Sequence, residues 1–280
     1  PHDPFVIPEP YASMYSPDDV PLPTSFDDPM ADKPALYRRQ RDVVYADMTA
    51  RHYREMIACY WGFCAFFDDL VGKLLARLDE RGAAGDTLAI VTSDHGESMG
   101  AHGLVYKSLS MFDESIRIPM IARWPGRIEP GRATGAPVML HDIGPTVLEA
   151  AGAEPLAGVH GESLVGTMTG SGHDLERAGA LVESEGAHVR ITQRTLVRGP
   201  FKYVFNAFDY DELYNLEEDP GELHNLAQDP RHAHTVREMA TALTDELVRL
   251  GDHLPTVRQP HTNLLPVGPD ADYRNEGTGG

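Results

Sequence analysis

Apolar positions along this chain change their period twice. From about Ala35 to Arg81 the period is helical. Ile57, Tyr60, Cys64, Phe67, Val71, Leu74 and Leu78 step by alternating threes and fours, which makes one stripe of a helix packed on a sheet. Gly82 and Gly85 end the stripe, and a break near Asp47 to Arg51 divides the region into two helices. The next run, Thr87 to Thr92 (TLAIVT), is continuously apolar, the pattern of a buried parallel strand. Pro119 to Trp124 (PMIARW) predicts a second buried strand that begins on a proline, and Val138 to Leu140 a third, short one. Asp142 caps a helix over 143–151, with Gly152 as its stop.

Beyond a polar, Gly- and Ser-rich stretch at 166–178 the period shortens to that of strands. Ala180–Ser184, Val189–Arg198 and Lys202–Phe205 are rich in Val, Ile, Thr, Tyr and Phe, with Gly186 and Gly199-Pro200 as hairpin punctuation. Asp211–Leu216 adds a further strand. Helical spacing returns over 231–250, where Val236, Met239, Leu243, Leu247 and Leu250 share a face. Residues 1–34 are rich in Pro and Asp and read as an ordered, irregular surface segment; 252–280 read as a loose tail or an arm. The expected architecture is α/β: a central, mainly parallel sheet flanked by helices over 1–170, then a small antiparallel sheet with one helix over 171–280.

Composition narrows the partners more than the fold. The 280 residues carry 24 Lys and Arg against 43 Asp and Glu, a formal net charge of −19. Such a surface repels nucleic acid and anionic membranes, so any site for an anionic substrate must gather positive charge locally. No apolar run reaches the length of a membrane span. The two cysteines, Cys59 and Cys64, point in different directions on a predicted helix and read as separate buried thiols, not a bridge. Localisation is not legible.

The candidate chemistry follows the first strand. Ser93-Asp94-His95-Gly96 sits just past its carboxyl end, where open α/β sheets collect their sites. A carboxylate beside a glycine suits a hard cation, and an adjacent imidazole offers a second ligand. Lys107 can return from the following loop to meet an anion.

The stretch SDHGESMGAHGLVYKSLSMFDESIRIPMIARWPG resembles the carboxyl half of a sulfatase, within the alkaline phosphatase-like superfamily. Four further blocks follow the family order: Pro1-His2-Asp3-Pro4, Asp142 to Gly152 (DIGPTVLEAAG), Gly161 to Leu164, and Glu212 to Leu226 (ELYNLEEDPGELHNL). The resemblance implies Asp94 and His95 as metal ligands and His2 and Lys107 as groups acting on the ester. Lys107 would contact the nucleophile and the anionic group. His2 would serve as general acid. A divalent cation is implied: Ca²⁺ by family custom, with Mn²⁺ or Zn²⁺ also suited to an imidazole at position 95.

The family's amino-terminal C/S-x-P-S-R motif, whose first residue becomes the formylglycine nucleophile, is not in the sequence, nor is the early Asp pair. The chain therefore reads as a carboxyl-terminal fragment whose first partner is the amino-terminal half of the same enzyme. A small-molecule or glycan sulfate ester is the implied substrate, and a homo-oligomer is compatible with the sequence. Two other readings stay open: a phosphonate monoester or phosphodiester hydrolase of the same superfamily, or a catalytically inactive binding module. His102 reads as a loop-ordering residue, Asp113, Glu114 and Arg117 as scaffold around the site, Glu97 as a group behind the ligands or in solvent, and the ELYNLEEDP block as a structural turn. His173, His188, His224, His232, His234, His253 and His261 read as surface residues.

Overall fold

In the computed structural model, which describes residues 1–252 and 254 except 108, 173, 174, 176, 178, 187 and 188, the helices in chain order are α1 (Ala35–Arg39), α2 (Ala50–Glu80), α3 (Asp113–Ile116), α4 (Ile143–Ala150), α5 (Val165–Thr169) and α6 (Ala233–Leu250). The strands are β1 (Ala89–Thr92), β2 (Met120–Arg123), β3 (Ala180–Ser184), β4 (Gln193–Arg198), β5 (Phe201–Asn206) and β6 (Glu212–Asn215). The chain forms two units. The first holds 1–27, 41–107, 112–172 and 175; the second holds 28–40, 109–111 and the described residues from 177 onward. The expected tail, and His173, His188, His253 and His261, lie outside the described residues. Among the described residues no helix is long and apolar enough to cross a membrane.

In the first unit, α2 begins where Thr49 and His52 cap each other: the Thr49 hydroxyl accepts from the His52 amide, and the His52 ring accepts from the Thr49 amide. Gly82, at φ 65°, follows its end. One face of the helix carries Gly62, where a Cβ would lie 2.3 Å from the Tyr11 carbonyl oxygen. Residues 5–15 therefore pack directly on it, with Phe5 against Tyr60, Tyr11 against Phe66 and Tyr15 against Trp61. The two strands expected in a parallel sheet pair antiparallel instead, Ala89 opposite Arg123 and Thr92 opposite Met120. A continuous apolar run says that a strand belongs inside a sheet; it carries no information on direction, which a distant partner sets. No parallel pairing occurs among the described residues. The strand expected at 138–140 is absent as well. The Asp142 carboxylate accepts from the Met139 amide at 2.8 Å, which takes a donor that a strand would offer a neighbour, and the chain turns into α4.

In the second unit the four strands run antiparallel in sequence order, β3-β4-β5-β6, matching the expected small sheet with one helix. Leu196, Tyr203, Phe205 and Leu213 cover one face and pack on Val236, Met239, Ala240, Leu243 and Leu247 of α6. The opposite face is buried too, but it is polar. Residues 28–40 lie over it: the Tyr37 hydroxyl donates to Glu212 at 2.9 Å, and Gln193 donates to the Tyr37 oxygen at 2.8 Å. Lys33 is fully buried, 3.2 Å from Asp28 and donating to the Leu223 carbonyl at 2.8 Å. The ELYNLEEDP block is thereby explained. Glu212 accepts from Tyr37, Asn206 and Tyr214, and Asp219 accepts from the Leu223 and His224 amides that close the turn.

Lys202 on β5 reaches Glu222 at 2.6 Å, with both side chains buried. Removing one member of such a pair strands the other charge in a poor solvent for it. Lys202→Met is expected to cost about 3–5 kcal/mol, and Lys202→Met/Glu222→Gln to recover most of that loss. Urea unfolding monitored by circular dichroism checks both; a single variant within about 1 kcal/mol of the parent would mean the pair contributes little.

Candidate functional site

The site is carried by the loop that leaves β1. Gly96 is there because nothing larger fits: a Cβ would sit 2.0 Å from the Glu114 carbonyl oxygen, and the Gly96 amide donates to the Ser115 carbonyl at 2.8 Å. Further along, Ser98 donates to Tyr106, Gly100 to Leu104 and His102 to Ser25, all main chain to main chain. Met99, Gly100, His102, Gly103 and Tyr106 hold positive φ. Such a backbone persists only where its surroundings fix it, and here residues 101–105 are all buried. His102 is the wedge at the centre, stacked on Phe112 with ring centroids 3.8 Å apart. It orders the loop, as its position in Gly-Ala-His-Gly suggests.

Asp94 and His95 emerge at one end of this rigid loop. The Asp94 carboxylate accepts from the His95 amide at 3.0 Å and is 85% exposed. The His95 Nδ1 lies 2.8 Å from the Gly96 carbonyl oxygen. A carbonyl only accepts, so Nδ1 carries the proton and the lone pair sits on Nε2. That Nε2 is 3.7 Å from the second Asp94 oxygen. Burial pushes the Asp94 carboxyl up, but His95, two backbone amides and Lys107 together outweigh it and hold the group below its ordinary value. His2 lies edge-on to His95, with ring centroids 5.7 Å apart. Its Nδ1 is 3.0 Å from both the Asp3 carbonyl and the Asp3 carboxylate, which points its other nitrogen outward as a free lone pair or donor. Lys107 stands exposed at the far end of the loop, close enough to act on the charge of Asp94. Asp94, His95 and His2 are thus neighbours, and Lys107 follows them on the same loop.

Glu97, which the sequence leaves either behind the ligands or in solvent, lies buried in the loop beside them. It is buried, and one carboxylate oxygen has no hydrogen-bond partner among the described residues. Burial raises its carboxyl to about 7, against the Tyr106 amide and the charge of His2. A polar residue after Asp-His-Gly carries no signal of burial; only the fold of the 97–106 loop supplies it. Arg117 pairs with Asp113 at 3.6 Å, as scaffold. Asp142 stands at the start of α4 but does not cap it with its side chain; its carboxylate accepts from the Met139 and Glu162 amides instead. Cys59 and Cys64 are free thiols, but Cys64 is exposed, not buried. Its stripe on α2 is bare at that point.

The donors fit a divalent cation in part. An oriented imidazole nitrogen and a carboxylate oxygen that face one another can share one ion. A hard cation needs about six or more donors, and among the described residues no group of three or more His, Cys, Asp or Glu side chains converges.

The chain belongs to the sulfatase family: the Sulfatase family model matches residues 1–153, and that of the N-sulphoglucosamine sulphohydrolase carboxyl-terminal region matches 100–249. It is 32% identical over 255 residues to the sulfatase YidJ of Escherichia coli, covering 90% of this chain and 50% of that one. It is 31% identical over 230 residues to the choline-sulfatase of Rhizobium meliloti, covering 79% and 43%. Among solved structures, the phosphonate monoester hydrolase SpPMH of Silicibacter pomeroyi superposes with a TM-score of 0.79 at 29% identity, covering 91% of this chain and 56% of that one. The chain therefore spans about half the length of the relatives it matches.

Stability separates the loop's frame from its functional groups. Gly96→Ala is expected to cost about 1–3 kcal/mol, because the backbone must move to admit a methyl group. Asp94→Ala, on an exposed side chain, is expected to change stability by no more than about 0.5 kcal/mol. Urea denaturation of the two variants checks this, and an Asp94 variant as damaged as the Gly96 one would make Asp94 a structural residue.

Proposed function

We propose that this chain is the carboxyl-terminal part of a metal-dependent sulfuric ester hydrolase. The observation that supports this reading is the meeting of Asp94, His95 and His2 just past β1, with Lys107 on the loop that follows, in a chain of the sulfatase family. Asp94 and the His95 Nε2 would hold a divalent cation. That cation, with a formylglycine nucleophile from the preceding half of the enzyme, would supply Lewis acidity and attack at sulfur. Everything else falls to this chain. Hydrolysis breaks the sulfur–oxygen bond to the alcohol, and the departing oxygen needs a proton. His2, with Nδ1 held by Asp3, presents its Nε2 for that transfer. The sulfuryl oxygens gain charge as the bond breaks. Lys107, a point charge on an exposed loop of an otherwise acidic molecule, meets that charge and draws the anion in.

A second reading has its own support. The SpPMH likeness and the histidine at position 95 are both compatible with phosphonate monoester or phosphodiester hydrolysis. Rates on matched aryl sulfate and aryl phosphonate esters decide between the two.

The 280-residue chain alone is expected to show no esterase turnover, since it lacks a nucleophile and most of a cation shell. In the complete enzyme, Lys107→Ala is expected to lower kcat by roughly 10²–10³-fold, about 3–4 kcal/mol, as for the loss of one charge-stabilising donor. Lys107→Arg restores it only in part, because a planar fork does not replace a compact ammonium. Steady-state kinetics on an activated sulfate ester measure both. A folded Lys107→Ala enzyme whose kcat stays within about threefold of the parent contradicts the proposed role, since a true donor is worth far more.

A further inference from the structure

Among the described residues, five other than glycine hold positive φ: Met30, Met99, His102, Tyr106 and Glu222. A side chain in that region is crowded against its own backbone, so its presence calls for a compensating contact. Four of the five have one. Met30 is buried, and Met99 packs on the cluster of Val20, Ile57 and Ala58. His102 stacks on Phe112, and Glu222 pairs with Lys202. Tyr106, at φ 61°, is different. It is 41% exposed, so packing within this chain does not account for a ring where glycine would sit freely.

The backbone that carries this ring is fixed on every side. Leu104 and Val105, just before it, are buried. The Tyr106 carbonyl accepts from the Ser98 amide at 2.8 Å, and the Tyr106 amide donates to the buried Glu97 carboxylate. Tyr106 and Lys107 are therefore delivered together at the exposed end of a loop that buried residues hold from behind. The neighbours of the ring say where it stands. Burial of part of the side chain, and then the charges of Asp3 and Glu97, push its phenol up, so the ring lies within reach of Asp3. Asp3 is the residue that holds the His2 Nδ1, through its carbonyl and its carboxylate.

We propose that Tyr106 is a specificity-determining residue whose ring meets the departing alcohol, and that this alcohol carries a ring of its own, an aryl group or a pyranose, which lies against the tyrosine. This rests on the ester-hydrolase reading above, with His2 at the departing oxygen. Whatever carbon skeleton that oxygen bears then extends into the space beside Asp3, where Tyr106 stands. An aromatic face offers dispersion contact and a weakly negative surface to the C–H groups of a sugar or to the edge of another ring. It offers nothing to sulfuryl oxygens, which are left to the ammonium of Lys107. The constrained backbone gives the ring one placement, so it selects by shape, and a small acyclic alcohol gains nothing from it.

The test compares three esters on the complete enzyme: 4-nitrophenyl sulfate, glucose 6-sulfate and the acyclic 2-methoxyethyl sulfate. Tyr106→Ala is expected to lower kcat/KM for a ring ester by roughly five- to tenfold and to leave the acyclic ester within about twofold. Whichever ring ester loses rate identifies the ring as aryl or sugar. Tyr106→Phe is expected to stay within about twofold of the parent on all three, because the face and not the hydroxyl makes the contact. Equal losses on all three esters overturn the proposal, since they make the ring a packing residue of the complete enzyme, and so does the absence of any loss. An enzyme that hydrolyses none of the three refutes the sulfatase reading instead, and binding then decides this one. Phenylmethanesulfonate, whose carbon–sulfur bond does not hydrolyse, is expected to bind the parent roughly five- to tenfold more tightly than ethanesulfonate in a calorimetric titration, and Tyr106→Ala to abolish that preference. No preference in the parent, or one that survives Tyr106→Ala, overturns the proposal.

Discussion

The contact between Gly96 and the Glu114–Ser115 backbone is the constraint on which the site depends. Two main chains approach there with no room for a methyl group and are joined by a hydrogen bond. That contact stops β1 from running on and ties its exit to α3. The loop from 97 to 106 then has to fold back on itself, which it does through left-handed residues and main-chain bonds at Ser98, Gly100 and His102. The result is a rigid bracket with Asp94 and His95 at one end and Lys107 at the other. Precision of this kind matters for charge stabilisation, because a preorganised group costs no reorganisation when charge develops.

The second unit solves a different problem. Its sheet has an apolar face that α6 covers and a polar face that residues 28–40 cover. Lys33, Lys202, Glu212 and Glu222 are buried in it, each with charged or hydrogen-bonding neighbours. Buried ion pairs are weak contributors to net stability but costly to break. This arrangement therefore fixes which strand register and which covering segment are tolerated, and gives the family signature ELYNLEEDP a structural reason to exist.

Much of this was legible before any coordinates. The hairpin punctuation at Gly186 and Gly199-Pro200 separates β3, β4 and β5, although the strand expected from Val189 begins only at Gln193, and the Val236–Leu247 spacing gives the buried face of α6, because local turns and a single amphipathic helix are set by nearby residues. Asp94, His95, His2 and Lys107 could be named from motif order. What stayed hidden depends on distant partners. The direction of the β1–β2 pairing is one case, and the cover provided by residues 28–40, almost two hundred positions from Leu223, is another. Cys64 is exposed where its stripe predicts a buried thiol, and Glu97 is buried where the sequence leaves solvent open as well, because burial belongs to the loop or the neighbour that covers a residue, not to the residue.

The proposed function rests on one claim: Asp94 and His95 at the β1 exit would hold part of a cation shell, and the preceding half of the enzyme would complete it. The most direct measurement is anomalous scattering from crystals of the full-length enzyme grown with Mn²⁺. The expected map has a single strong peak within about 2.6 Å of both an Asp94 carboxylate oxygen and the His95 Nε2, with further ligands from the preceding half. A peak bound wholly by other residues, with Asp94 and His95 turned away from it, would contradict the account.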